Sequence, residues 1–267
     1  MRHIAMLSYG KDSLAQVAVM RQHGLPLTDI VTADIMATPD LPAYLPELVE
    51  FRERVDREIL ERYGIPVTHV RAEKSFVELF YRQLSERSKY TGTYGWPPVF
   101  GHWCMKWLKL EPIKKYLEGL DYVEWVGIAA DETARQGQLN ERKRSALVEY
   151  GITEAMAMEI CKGLNWVSPT YLHSGRDGCW FCPCQGLDQL RRLYNEFPEY
   201  WALMMAWDKD TKKRFKIDHT LEEYDRRFQM EKAGLVPLGR SFKWSMIEQS
   251  PQQLSLFDLE EREEAEQ

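Results

Sequence analysis

Apolar positions in roughly the first half of the chain come as short runs alternating with stretches of helical spacing. Residues 3–7 (HIAML) form an apolar run too short for a helix, closed by Ser8-Tyr9-Gly10. A helical pattern starts at Asp12-Ser13 and continues through Leu14, Val17, Ala18 and Met20 to Gly24. Residues 30–35 (IVTADI) predict a second strand, residues 48–63 an amphipathic helix stopping at Gly64, and residues 67–70 (VTHV) a third strand. Residues 122–129 (YVEWVGIA) predict a further buried strand. This β-α-β-α-β order predicts an α/β fold, a parallel sheet with helices on both faces. Ligands bind such sheets beyond the carboxyl ends of the strands.

The pattern changes near residue 150. Thr153-Glu154 predicts a helix start, the sequence beyond Leu187 reads as helical and rich in Trp and Tyr, and from Glu248 it is polar and acidic. The expected organisation is an α/β domain over residues 1–150, a helical cysteine-bearing subdomain over 151–247 and a flexible acidic tail over 248–267.

With 267 residues, 44% hydrophobic and 28% charged, the chain has a globular rather than a disordered composition. No apolar run approaches the ~18 residues of a membrane helix, and the N-terminal stretch lacks the layout of an export signal. A cytoplasmic protein with no membrane partner is expected. The net charge of −6 resides in the tail, where seven acids stand against Arg262 alone. The balanced remainder offers no broad basic face for non-specific nucleic-acid binding, though it leaves room for a local basic groove.

The loop Ser8-Tyr9-Gly10-Lys11-Asp12-Ser13 joins the first strand to the first helix. Gly10 permits a tight turn and close backbone approach, and Ser13 and Asp12 are suited to cap the helix start. Free N–H groups of the first turn, the helix dipole, Lys11 and two serines together make an anion cradle. The spacing is not that of a Walker loop.

This loop resembles the Ser-Gly-Gly-Lys-Asp-Ser loop of the N-type ATP pyrophosphatase (PP-loop, adenine nucleotide alpha-hydrolase-like) superfamily, and more narrowly of the phosphoadenosine phosphosulfate (PAPS) reductase-like family. Trp103-Cys104-Met105-Lys106-Trp107-Leu108-Lys109 with Pro112 is similar to that family's Trp-Cys-Thr-x-x-Leu-Lys-x-x-Pro element. Gly127-Ile128-Ala129-Ala130-Asp131-Glu132 with Arg135 resembles its Gly-Ile-Arg-x-x-Glu-x-x-Arg segment, and residues 147–154 resemble the stretch before its specificity helix. Tyr9 departs from the family, which usually has glycine there.

The resemblance implies an adenine nucleotide with its phosphates on Ser8, Tyr9, Gly10, Lys11, Asp12 and Ser13. Lys11 would stabilise phosphate charge and Asp12 would help hold Mg²⁺ with ATP. Asp34, beside Ala33 and Ile35, would meet the adenosine, and Lys109 and Arg135 would be further phosphate or sulfate contacts. Bland alternatives stand beside these: Asp34 capping a loop, Lys109 as a solvated helix charge, Arg135 paired with Glu132.

Five cysteines in a chain without an export signal point to metal or redox chemistry rather than disulfides. Gly178-Cys179-Trp180-Phe181-Cys182-Pro183-Cys184 carries a Cys-x-x-Cys knuckle, which is half a tetrahedral site or else a redox pair. Cys104 lies in a family motif and Cys161 ends the helix preceding the knuckle. The expected ligands are therefore Cys104, Cys161, Cys179 and Cys182, with Cys184 in reserve; the alternative makes Cys161 a small buried hydrophobe. Four thiolates suit Zn²⁺ or a [4Fe–4S] cluster equally by composition, and similarity to iron–sulfur members of the family favours the cluster.

No cysteine follows Cys184. The true reductases that the chain resembles attack sulfate sulfur with a cysteine near the C-terminus, so that nucleophile is missing here. The resemblance then implies an ATP pyrophosphatase that adenylates a substrate oxygen, after which a sulfur or nitrogen nucleophile displaces AMP. Cluster-bearing relatives thiolate tRNA or modify DNA in this way. The first expectation is ATP-dependent sulfur transfer to a nucleic acid or small molecule. A PAPS or adenylylsulfate reductase-like oxidoreductase is the second, and a non-catalytic nucleotide- and metal-binding partner of replication machinery the third.

Residues 90–98 (YTGTYGWPP), preceded by Arg82, Arg87 and Lys89, read as a packed surface loop or as a lid whose aromatics stack a base. His102 and Trp103 are placed to shield a cluster at Cys104. Gln253-Leu254-Ser255-Leu256-Phe257 in the tail resembles the short peptide with which bacterial replication proteins bind the sliding clamp.

Overall fold

The computed structural model describes residues 1–85, 92–98, 101–172 and 178–248, without the side chains of Arg240 and Glu248. The tail motif at 253–257, Arg87 and Lys89, and residues 90–91 of the aromatic segment lie outside the described residues.

Strand and helix alternate as the apolar pattern predicts: β1 (Arg2–Met6), α1 (Lys11–Gln22), β2 (Asp29–Asp34), α2 (Pro46–Tyr63) and β3 (Val67–Arg71). Gly64 ends α2 at φ 68, a left-handed conformation that glycine adopts without a Cβ penalty. The short helix α3 (Phe76–Phe80) carries a Ser75/Glu78 capping box. Then come α4 (Trp103–Met105), a π-helical turn (Lys106–Leu110), α5 (Glu111–Leu117), β4 (Tyr122–Trp125), α6 (Thr133–Gln136), β5 (Lys143–Arg144), α7 (Ala146–Glu149) and α8 (Glu154–Leu164). A 3₁₀ turn (Pro169–Leu172) precedes α9 (Leu187–Glu196) and α10 (Pro198–Lys209).

The five strands run parallel in the order β3-β2-β1-β4-β5. The chain builds outward from β1 to β3, then crosses to the other side of β1, so the order reverses between β1 and β4. That crevice, at the carboxyl ends of β1 and β4, is where ligands enter open α/β sheets.

Adjacent residues of β1 point to opposite faces. Ala5 joins a core with α1, α2 and α8, whereas Ile4 and Val31 pack with Leu117, Ile113 and Tyr116 of α5 on the other face. Helix α1 is buried continuously from Ser13 to Met20 because α7 and α8 cover the side the sheet leaves open. Of its buried polar residues Ser13 and Gln16, the second accepts the Ala146 amide at 3.0 Å.

The change of sequence character near 150 is not a break in packing, since Ala157, Cys161 and Trp166 belong to the α1 core. Compact packing divides the chain between Phe215 and Lys216. The helical part of the first unit rests on an aromatic core in which Phe76 meets Phe181 at 4.1 Å and Trp103 at 5.2 Å, and Trp180 stacks on Trp207 at 5.5 Å. Trp96, in the segment read as a packed surface loop or a lid, is 1% exposed and donates to Asp208 at 2.6 Å, which fits the packed alternative rather than a base-stacking platform.

The second unit holds α11 (Leu221–Lys232), a 3₁₀ turn (Gly239–Ser241) and α12 (Ser245–Glu248). Thr220 and Glu223 box the start of α11, and Arg227, ion-paired to Glu231, stacks over Phe242 at 3.6 Å. No helix among the described residues is long and apolar enough to cross a membrane.

Candidate nucleotide site and cysteine cluster

The loop after β1 closes by side chains within itself. Ser13 Oγ accepts the Ser8 amide at 3.1 Å and donates to the Gly10 carbonyl at 3.0 Å. The N-cap is Gly10, with no side-chain capping bond, so Ser13 braces the loop instead of capping the helix as expected. The amide of Lys11 donates to the hydroxyl of Tyr171, from the 3₁₀ turn, at 3.2 Å. Tyr9 lies in the left-handed region that favours glycine, with φ 61, while the residue is only 2% exposed.

Gly127, just past β4, is pressed onto this loop. A Cβ built there would lie 2.6 Å from the Ser13 amide nitrogen and 2.7 Å from the Asp12 carbonyl carbon. β4 ends at Trp125, short of the expected residue 129; the Val126 amide still donates to the Arg144 carbonyl of β5 at 2.9 Å, and from Gly127 the chain lies against the backbone of the loop after β1.

The Lys11 ammonium donates at 2.9 Å to both oxygens of Asp12 and at 2.9 Å to Glu154 at the start of α8. Ligand oxygens of Asp12, Glu132 and Glu154 lie within 4.8 Å of one another, an arrangement able to hold a divalent cation. Burial and the charges of Glu154 and Glu132 raise the Asp12 pKa despite Lys11. Burial opposes the charge on Lys11, but Asp12 and Glu154 outweigh it and raise its pKa. Glu132 is oriented by the Ala129 amide at 3.0 Å and by Arg135 at 2.7 Å. Arg135 thus makes the ion pair that its sequence alternative described.

Asp34, at the end of β2, is bound to Arg52 and accepts from His69 at 2.9 Å. Burial works against its charge, yet the His69 hydrogen bond and the Arg52 charge leave its pKa lowered. The other His69 nitrogen lies 3.0 Å from Asp56, and Asp56 accepts the Tyr9 phenol at 2.6 Å. Arg52 stacks 4.3 Å from the Tyr9 ring and 4.2 Å from that of Tyr44.

Of the four expected metal ligands, Cys104, Cys179 and Cys182 are near enough for the charge of one to bear on another, as Lys109 does on Cys104, Cys179 and Tyr44. Among the described residues they do not form a group with ligand atoms within 4.8 Å of one another, as Asp12, Glu132 and Glu154 do. Aromatic packing of Trp103 against Phe76, and of Phe76 against Phe181, fastens the two cysteine-bearing segments to each other. The knuckle is tied to the loop after β2 by Trp180, whose indole and amide donate to the Pro42 and Ala43 carbonyls at 3.0 Å. Burial pushes the Cys104 thiol up to about 11 and Cys179 up to about 12. A coordinated cation would reverse that by deprotonating them. Cys184 faces His102, with 3.9 Å between sulfur and Nε2.

Cys161 is placed elsewhere. Its sulfur donates to the Lys11 carbonyl at 3.2 Å within the α1 core, and burial pushes its thiol up to about 12. The buried-hydrophobe alternative describes it. Lys109 accompanies the cysteines, and Asp34 is engaged in the Arg52–His69 network.

Arg52, Asp56, His69 and Tyr171 surround the loop but fall in none of the motifs, and Glu154 closes the 147–154 stretch without having been given a role there. Arg52 and Asp56 gave a usable signal, being polar at four-residue spacing beside Phe51 and Val55 on the inward side of an amphipathic helix.

No family model matches the chain. An uncharacterized protein of Methanocaldococcus jannaschii is 26% identical over 212 residues, covering 73% of this chain and 38% of that protein. The chain thus spans well under half of that relative's length. Among solved structures, U34-tRNA thiolase NcsA from Methanococcus maripaludis with its [4Fe-4S] cluster matches at a TM-score of 0.35 and 15% identity, covering 91% of this chain and 84% of that one. Overlap of that degree leaves function to be read from this chain's own residues.

Proposed function

We propose that this chain binds ATP on residues 8–13 and uses it to adenylate a substrate oxygen, releasing pyrophosphate, for displacement of AMP by a sulfur nucleophile. The observation that carries the reading is the convergence at the sheet's switch point of the loop, Lys11 and the carboxylates of Asp12, Glu132 and Glu154. The start of α1 favours phosphoryl oxygens, the Lys11 ammonium would exchange Asp12 and Glu154 for them, and the carboxylates so released suit the Mg²⁺ that accompanies ATP. Charge developing on departing pyrophosphate is then met by that ammonium and the helix start.

Cys104, Cys179 and Cys182 suit a thiophilic metal centre by chemistry, as three half-buried thiols from two segments that bear electrostatically on one another. Such a centre, as a [4Fe–4S] cluster or zinc, would supply a soft site for the incoming sulfur. Lys109 and Arg52 add positive charge beside it, which favours an anionic sulfur species or thiolates.

The test is product analysis with labelled ATP, a sulfide donor and candidate acceptors, both nucleic acids and small molecules. Pyrophosphate and AMP in equal amounts, with both lost in Lys11→Ala, are expected. Sulfite from PAPS or adenylylsulfate, or no turnover with any acceptor, would contradict the reading.

A further inference from the structure

The phosphate loop carries a residue whose backbone and side chain make opposite demands. A φ of 61 at Tyr9 lies in the left-handed region that a Cβ disfavours. A non-glycine residue persists there only when its surroundings hold it. What holds it is a closed ring of contacts. The phenol donates to Asp56 Oδ1 at 2.6 Å, and Asp56 Oδ2 lies 3.0 Å from His69 Nε2. His69 Nδ1 lies 2.9 Å from Asp34, Asp34 binds Arg52, and Arg52 returns to the Tyr9 ring at 4.3 Å.

The ring draws on α2, β2 and β3, all outside the loop. Arg52 and Asp56 are one helical turn apart on α2, so both reach the same phenol from the same direction. None of Asp56, His69 and Arg52 is needed for the loop's own closure, which Ser8, Gly10 and Ser13 accomplish. Asp56 and Arg52 touch Tyr9 directly, and His69 reaches it through Asp56.

We infer that Asp56 and His69 are positioning residues for the nucleotide phosphates, acting through the hydroxyl of Tyr9 to hold the loop backbone in the left-handed turn that aims its amides. This rests on the reading that residues 8–13 bind ATP. Where the family resemblance expects glycine, this chain uses a tyrosine and must supply a brace. The loop's geometry thereby depends on residues of α2 and β3 that no phosphate touches.

The experiment is ATP affinity of the full chain by calorimetry, with melting temperature followed in parallel. Asp56→Ala is expected to weaken ATP about tenfold in the wild-type background. Made on top of Tyr9→Gly, whatever affinity that variant has, Asp56→Ala should add no further loss, because a glycine at φ 61 needs no brace. His69→Gln, which alters a partly exposed group, repeats the same comparison should Asp56→Ala fail to fold. Equal loss in both backgrounds would mean a merely structural role and overturn the inference, as would no loss in either. Failure of the nucleotide reading shows differently: wild type would then bind ATP no better than Lys11→Ala, and the inference would fall with it.

Discussion

Gly127 and Ser13 are so close that a Cβ on the glycine would sit 2.6 Å from the serine's amide nitrogen. The neighbour is loop backbone, which cannot step aside as a flexible side chain would. Gly127→Ala should therefore cost about 1–3 kcal/mol of stability, the range for overpacking, and weaken ATP more than its stability loss alone accounts for. Paired melting and calorimetric titrations check this; an alanine variant with wild-type affinity would show that the loop tolerates displacement.

Glu154 shares the Lys11 ammonium with Asp12 and completes the acidic trio with Glu132. In Glu154→Gln the trio loses one charge, so half-maximal pyrophosphate release should need roughly several-fold more Mg²⁺, as ligand charge sets divalent affinity. Titrating Mg²⁺ at saturating ATP measures the shift. An unchanged requirement would remove Glu154 from the cation site.

His69 faces carboxylates with both ring nitrogens, and these hydrogen bonds raise its pKa to about 9 despite partial burial. A folded value above the unfolded ~6.5 means the native state holds the proton more tightly. That contribution is complete below about pH 6.5 and is lost as pH rises through 9. Melting temperature should fall between these limits in wild type and fall less in His69→Gln. Parallel curves would contradict the protonated assignment.

Strands β1 to β4 were legible because they read as short apolar or β-branched runs between helical stretches, and the loop because Ser8, Gly10, Lys11, Asp12 and Ser13 fall within six residues, whereas β5, only Lys143–Arg144, offers no apolar run. What escaped was long-range. Cys161 and Cys104 look alike in sequence, and only the packing of α8 on α1 sends Cys161 to the Lys11 carbonyl while Phe76 joins Cys104 to the knuckle. Asp34 reads as a ligand contact at a strand end; that Arg52 and His69 occupy it depends on the register of β2 with β3 and the rotation of α2. Tyr9 looked like a departure that disturbs the loop, yet its backbone lies in the left-handed region that favours glycine.

The cysteine placements give a sharp contrast. Cys104→Ser, Cys179→Ser and Cys182→Ser should each lose most bound iron or zinc from anaerobically purified protein, with the visible band near ~400 nm if the centre is iron–sulfur. Cys161→Ala should keep full metal content and lose only packing energy. Elemental analysis per chain decides it, and metal lost in Cys161→Ala without unfolding would restore the four-ligand set.

Direct titration of the full chain with ATP and Mg²⁺, wild type against Lys11→Ala, bears most immediately on the phosphate cradle. Saturable one-to-one binding in wild type is expected, weakened on the order of a hundredfold when the ammonium is removed, the scale of a lost charge-assisted contact. Heats that never saturate in wild type, or the same affinity in Lys11→Ala, would contradict the account.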